Sequence, residues 1–153
     1  MAANKERVAE NTSEEVNDGI EEQIEQNIAR YSAAGAAQIE ERLEQLDREW
    51  DIERMLQTNA ASIILAGVGL GAFVDKKFLA LPALVAGFLL QHAVQGWCPP
   101  VPILRRMGFR TQYEIDQERY ALKALRGDFA NVTKGRGKNR GDRTAKAVEA
   151  VTK

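Results

Sequence analysis

Two stretches of this chain contain no charged residue, Met55 to Val74 and Phe78 to Trp97. Each runs for 20 residues, which as an α-helix spans about 30 Å, the thickness of a bilayer's hydrocarbon core. Asp75-Lys76-Lys77 is a polar break between them. The pattern predicts two helices, about 55–74 and 78–97, folded back on each other at that break. Upstream, Val16, Ile20, Ile24, Ile28 and Tyr31 recur at steps of four and three, a narrow apolar stripe on an acidic helix. Thr12 and Glu15 have capping-box spacing at its start, and residues 1–12 before it are expected to be disordered. Ser32-Ala33-Ala34-Gly35 weakens the helix, and a second stripe follows in Ile39, Leu43, Leu46 and Trp50. Region 13–54 therefore reads as acidic, amphipathic and helical.

Beyond the apolar pair, Cys98-Pro99-Pro100-Val101-Pro102 stops helical structure, because its prolines remove donors and restrict the residues before them. Thr111 with Glu114 makes another capping box, opening a short amphipathic helix through about Leu125 with Gly127 as its terminator. Residues 98–127 thus form an exit loop and helix. Residues 128–153, with the run Lys134-Gly-Arg-Gly-Lys-Asn-Arg-Gly, lack apolar periodicity and read as a basic disordered tail.

The expected fold class is all-α: a two-helix transmembrane hairpin with cytoplasmic amphipathic helices before and after it. The flanks offer too few apolar residues to cover two helices that are greasy on every face, which argues against a water-soluble hairpin. Folding about residues 75–77 pairs positions that sum to roughly 153. Gly67 and Gly71, a G-x-x-x-G pair, then face Ala86/Gly87 and Pro82/Ala83, so Gly67, Gly71, Ala83 and Gly87 are the expected close-packing residues. At the open end, Asn59 and Ser62 fall near Gln91 and His92 and are expected to satisfy one another.

Charge sharpens this partition. Residues 1–57 carry 6 Lys/Arg against 15 Asp/Glu, and residues 98–153 carry 13 against 6. An acidic head, an uncharged middle and a basic tail imply three environments. Arg42, Arg48 and Arg54 precede the pair and Arg105, Arg106 and Arg110 follow it, while the turn holds only Lys76 and Lys77. That bias places both termini in the cytoplasm. The polar start, Met1-Ala-Ala-Asn-Lys-Glu-Arg7, has no apolar core or cleavage site of a secretory signal.

Candidate chemistry is sparse. One cysteine and one histidine exclude a disulfide framework or an ordinary zinc site within one chain. Cys98 is the candidate reactive thiol: it follows the second apolar helix near Arg105 and Arg106, and cations favour the thiolate. The alternative is a small residue at a helix stop. His92 reads as a bonding partner across the pair ahead of a proton carrier or metal ligand. A Ser62–His92 dyad would lack an orienting acid and an oxyanion hole. Gly67-Val-Gly-Leu-Gly71 is no phosphate loop, since no Lys-Ser/Thr follows. The basic tail has no stacking aromatics, so anionic lipid suits it better than nucleic acid.

A family resemblance rests on Glu49-Trp-Asp-Ile-Glu-Arg54, Asn59-Ala-Ala61, the glycine-rich first apolar helix and above all Leu89-Leu-Gln-His-Ala-Val-Gln-Gly-Trp-Cys-Pro-Pro100. Leu104-Arg-Arg-Met-Gly108, Arg110-Thr111 and Glu114-Ile115 extend it. Residues 49–127 resemble the YgaP-like inner-membrane domain, whose most specific mark is Gly-x-Cys-Pro after a second membrane helix. The resemblance implies a bacterial inner-membrane two-helix domain of uncharacterised activity, which in some relatives anchors a rhodanese. Nothing before residue 49 has the length or the cysteine for a rhodanese, so only Cys98 keeps a link to sulfur chemistry.

These readings converge on a multi-pass inner-membrane protein, without catalytic residues, cofactor or metal. It serves as an anchor or as a self-associating or partner-docking module, with the lipid bilayer as one partner and a second copy or another protein met through residues 13–54. The alternative is a thiol-dependent sulfur carrier or redox sensor acting through Cys98.

Overall fold

The computed structural model describes residues 7–130 and 140–152. Among the described residues every regular element is helical and no strand occurs. The helices are α1 (Arg7–Glu10), α2 (Glu14–Ser32), α3 (Ala36–Arg48), α4 (Ile52–Phe73), α5 (Ala80–Gln95), α6 (Val101–Arg106), α7 (Gln112–Arg126) and α8 (Arg140–Thr152), with a 3-10 turn at Lys76–Leu79. The chain divides into two compact units, one of residues 1–22 and 50–115 and one of residues 23–49 and 116–153.

The first unit is organised by α4 and α5. Asp51 caps α4, its carboxylate accepting from Arg54 N at 2.7 Å. The helix runs to Phe73 because no proline falls within it. Asp75 caps the 3-10 turn by accepting from Lys77 N at 2.8 Å. Two helical segments, lying within Ala36–Phe73 and Lys76–Gln95, are long and apolar enough to cross a membrane. Only 22% and 11% of their most apolar windows is buried in the molecule. Phe73 (91% exposed), Leu65 (73%) and Leu90 (68%) show what is left bare.

α4 and α5 pack on each other in a register that corrects the one expected from sequence. A Cβ built on Gly67 would lie 2.6 Å from Pro82, and one on Gly71 would lie 2.4 Å from Leu79. Each α4 position therefore meets an α5 residue three to four positions, about one helical turn, earlier than expected, and the chain reverses about two residues sooner. The physical reason is the 3-10 turn, which tucks Leu79 directly against Gly71 and starts α5 at Ala80, not Phe78. Ala83 and Gly87 are consequently exposed on the outer side of α5, and Gly87 has open space where a side chain would be.

The N-terminal segment also departs from expectation within its described part. Residues 7–10 form a helical turn, not disorder, and Val8 is buried. Arg7 donates to Ala93 O, and Asn11 Nδ2 donates to Gln95 O at 3.1 Å. Those are carbonyls at the end of α5, which a helix C-terminus leaves without intrahelical donors. Thr12 donates to Val8 O at 2.8 Å, so it closes α1 and does not box the start of α2. α5 itself stops at Gly96, whose φ of 76° is the left-handed terminator conformation that glycine adopts cheaply. The second capping box forms as expected: Thr111 N donates to Glu114 Oε2 at 2.7 Å, and Glu114 N donates to Thr111 Oγ1 at 3.3 Å.

The second unit is built from the later part of α2, α3, most of α7 and α8. Ile24, Ile39, Leu43, Leu46, Leu122 and Ala150 are buried there. Each fully buried Ile or Leu contributes roughly 1.5–3 kcal/mol from loss of apolar surface to water. Glu118, fully buried on α7, accepts from Arg42 Nε at 2.8 Å and from Asn27 Nδ2 at 3.4 Å, tying α3 and α2 to α7. Arg119 reaches Asp47 at 3.0 Å, and Arg126 pairs with Glu40 and Asp128. Lys123 Nζ donates to Val151 O at 2.7 Å, joining α7 to α8. α8 occupies sequence expected to be disordered. The glycine-rich run suggested disorder throughout, whereas Thr144-Ala-Lys-Ala-Val-Glu-Ala-Val151 beyond it is composed mainly of helix formers with small apolar positions three and four apart. Residues 131–139, which hold most of that glycine-rich run, lie outside the described residues, as do 1–6.

Candidate functional site

The densest chemistry lies in the first unit, at the end of α4 and α5 away from their connecting turn. Val8, Ile52, Leu56, Cys98, Val101 and Leu104 form one buried cluster, with Met55, Phe88, Leu89 and Phe109 packed on it. The Cys98-Pro-Pro sequence builds it: Val101 N donates to Cys98 O at 2.9 Å, so the chain turns sharply into α6 and returns Val101 and Leu104 to the same core.

Cys98 is only 5% exposed, and burial raises its thiol above the usual cysteine value. Arg105, expected to favour a thiolate, is occupied elsewhere. It is 1% exposed and meets Glu114 through two parallel hydrogen bonds of 2.7 and 2.8 Å. It also donates to Asn17 Oδ1 at 2.9 Å and Phe109 O at 3.3 Å. Burial alone pushes the Glu114 carboxyl up, but the hydrogen bonds from Arg105 and Thr111 and the Arg105 charge outweigh it and hold the group below the ordinary glutamate value. This network ties α6, the start of α7 and α2 together within the unit.

His92 does bond across the helix pair, though to a partner that sequence reading missed. Its Nε2 lies 2.8 Å from Glu53 Oε2. Glu53 lies nine residues, about two and a half turns, before Ser62, and the register shift at Gly67 and Gly71 covers about one of those turns. Ser62 donates to Thr58 O at 2.8 Å, within its own helix, so the Ser62–His92 dyad is not assembled. Asn59 is exposed and Gln91 half-buried. Of the expected polar cluster Asn59, Ser62, Gln91 and His92, only His92 makes a bond between the helices among the contacts described.

An apolar cleft of about 380 Å³ opens between the two helices, walled by Leu56, Asn59, Ala60 and Ile63 on α4 and by Val85, Phe88 and Leu89 on α5. Cys98, Pro99 and Pro100 form its end. Glu53, Asn17, Arg7 and Asn11 are the residues of this region that sequence reasoning did not place, and Arg105 was expected beside Cys98, not paired with Glu114. Glu114 alone carried a legible signal, its capping-box spacing. Among the described residues no group of three or more His, Cys, Asp and Glu side chains is placed to hold a metal ion. Set against models of known families, curated proteins and solved structures, the chain finds no match.

Proposed function

We propose that this protein is a bacterial inner-membrane protein whose α4 and α5 cross the bilayer as a hairpin, with both termini in the cytoplasm. It acts as an anchor that presents helical flanks to a partner and carries out no catalysis itself. One observation supports this above the others: the two longest apolar surfaces of the chain are left uncovered by it. Water penalises bare leucine and phenylalanine faces of this extent, and hydrocarbon does not. Trp50 and Trp97 flank the open end of the pair, where membrane-interface aromatics belong. The resemblance to the YgaP-like domain points the same way.

The apolar stripes of α2 and α3 do not supply the docking face, because Ile20, Ile24, Ile39, Leu43 and Leu46 are already buried within the chain. What residues 13–54 turn outward is acidic, including Glu14, Glu15, Asp18, Glu21 and Glu25 on α2. A partner therefore meets this region through positive charge. Alkaline carbonate washing of cell membranes tests the anchor: the protein is expected to stay in the pellet, and its release overturns the proposal. Crosslinking in intact membranes tests docking. A specific adduct lost on reversing Glu21 and Glu25 to lysine is expected, and monomer alone counts against it.

A further inference from the structure

We propose that the cleft beside Cys98 seats one phospholipid acyl chain, with the chain's ester carbonyl at Asn59; this rests on the membrane reading above. The volume, about 380 Å³, falls within the range of small-molecule sites, roughly 300–1,000 Å³. Its lining is apolar apart from the Asn59 amide and the Cys98 thiol, which excludes a charged or sugar-like ligand. The Asn59 side chain makes no hydrogen bond to any described residue, and an amide in apolar surroundings is costly unless something bonds to it. An ester carbonyl accepts such a bond, and the hydrocarbon behind it fills the rest. The occupant comes from the lipid side because Ile63, on the cleft wall, is itself half exposed and shares its helix face with Leu70, seven residues on and also exposed. Val8 is buried in the cluster that contains Cys98, so the N-terminal turn packs beside the Cys98 end of the cleft.

Cys98, as the single cysteine, reports occupancy directly. The full-length protein in a steroid-tailed detergent is titrated with dioleoylphosphatidylglycerol while alkylation of Cys98 by N-ethylmaleimide is timed. Lipid at ten times its Kd is expected to slow alkylation about ten-fold by simple mass action. Native mass spectrometry is expected to show one retained lipid. Val85→Trp fills the cleft from α5 and is expected to slow alkylation without lipid and to abolish the retained lipid. Asn59→Leu, at an exposed position, is expected to keep the protection but lose any preference for ester-linked over ether-linked chains. A rate indifferent to lipid, a lipid that persists in Val85→Trp, or protection that rises with protein concentration alone, as for a second copy, overturns the proposal. Carbonate extraction of the same protein separates the two levels: release into the wash sinks the membrane reading, whereas retention with unprotected Cys98 sinks only the lipid seat.

Discussion

Arg105 shows how one residue organises its surroundings. Its guanidinium is buried and its two terminal nitrogens donate to Glu114, Asn17 and Phe109 O, while Nε has no partner among the described residues, so removing either charge leaves the other stranded. Arg105→Met is expected to cost about 3–5 kcal/mol, the range for breaking a buried pair by deleting one partner. Denaturant titration in detergent measures it. Because the Glu114 carboxyl is held below its ordinary value, its contribution is complete above the usual glutamate range and is lost as pH falls through the lowered one. Unfolding of the native protein is therefore expected to become easier on acidification in that window. Glu114→Gln is expected to flatten that dependence, and an unchanged pH profile would contradict the assignment. Gly96 is a second sensitive position. Its φ of 76° and the 2.6 Å approach of Arg7 Cβ to a built Cβ leave no room for alanine. Gly96→Ala is expected to lose about 1–2 kcal/mol from the left-handed backbone alone.

At the scale of elements, the α4–α5 contact separates glycines that sequence alone treats alike. Gly67→Ala drives a methyl into Pro82, and overpacking of this kind costs about 1–3 kcal/mol, whereas Gly87→Ala meets open space. Titration with a denaturing detergent is expected to show the first variant destabilised and the second unchanged; equal effects would mean the register is wrong. The two apolar helices were legible because uninterrupted uncharged runs are a strong signal, and Thr111/Glu114 because a capping box is local. The register was not, because one short 3-10 turn shifts every pairing beyond it while leaving the composition untouched. The partner of His92, Glu53, lies further along α4 than that shift alone reaches. α8 escaped because neighbouring glycines masked a short helical run.

For the whole molecule, the proposed topology makes a sidedness prediction. On a Cys98→Ser background, Lys77→Cys is expected to react with an impermeant maleimide in intact spheroplasts, and Arg140→Cys only after permeabilisation. The reverse pattern inverts the orientation, and labelling of both from outside removes the two crossings. The candidate site was only partly visible beforehand. Cys98 drew notice through its prolines, yet its burial depends on Val8, ninety residues away in sequence.

That distance bears on how the protein is made. Arg7 and Asn11 find their acceptors, Ala93 O and Gln95 O, only after more than eighty further residues have been polymerised. On the proposed topology this segment leaves the ribosome before both greasy rods, must wait, unattached, while they are inserted, and must lie on the same face of the bilayer as residue 95 when they arrive. Replacing Arg7 and Asn11 would thus interfere with the closing step of assembly and, on that topology, leave earlier insertion intact.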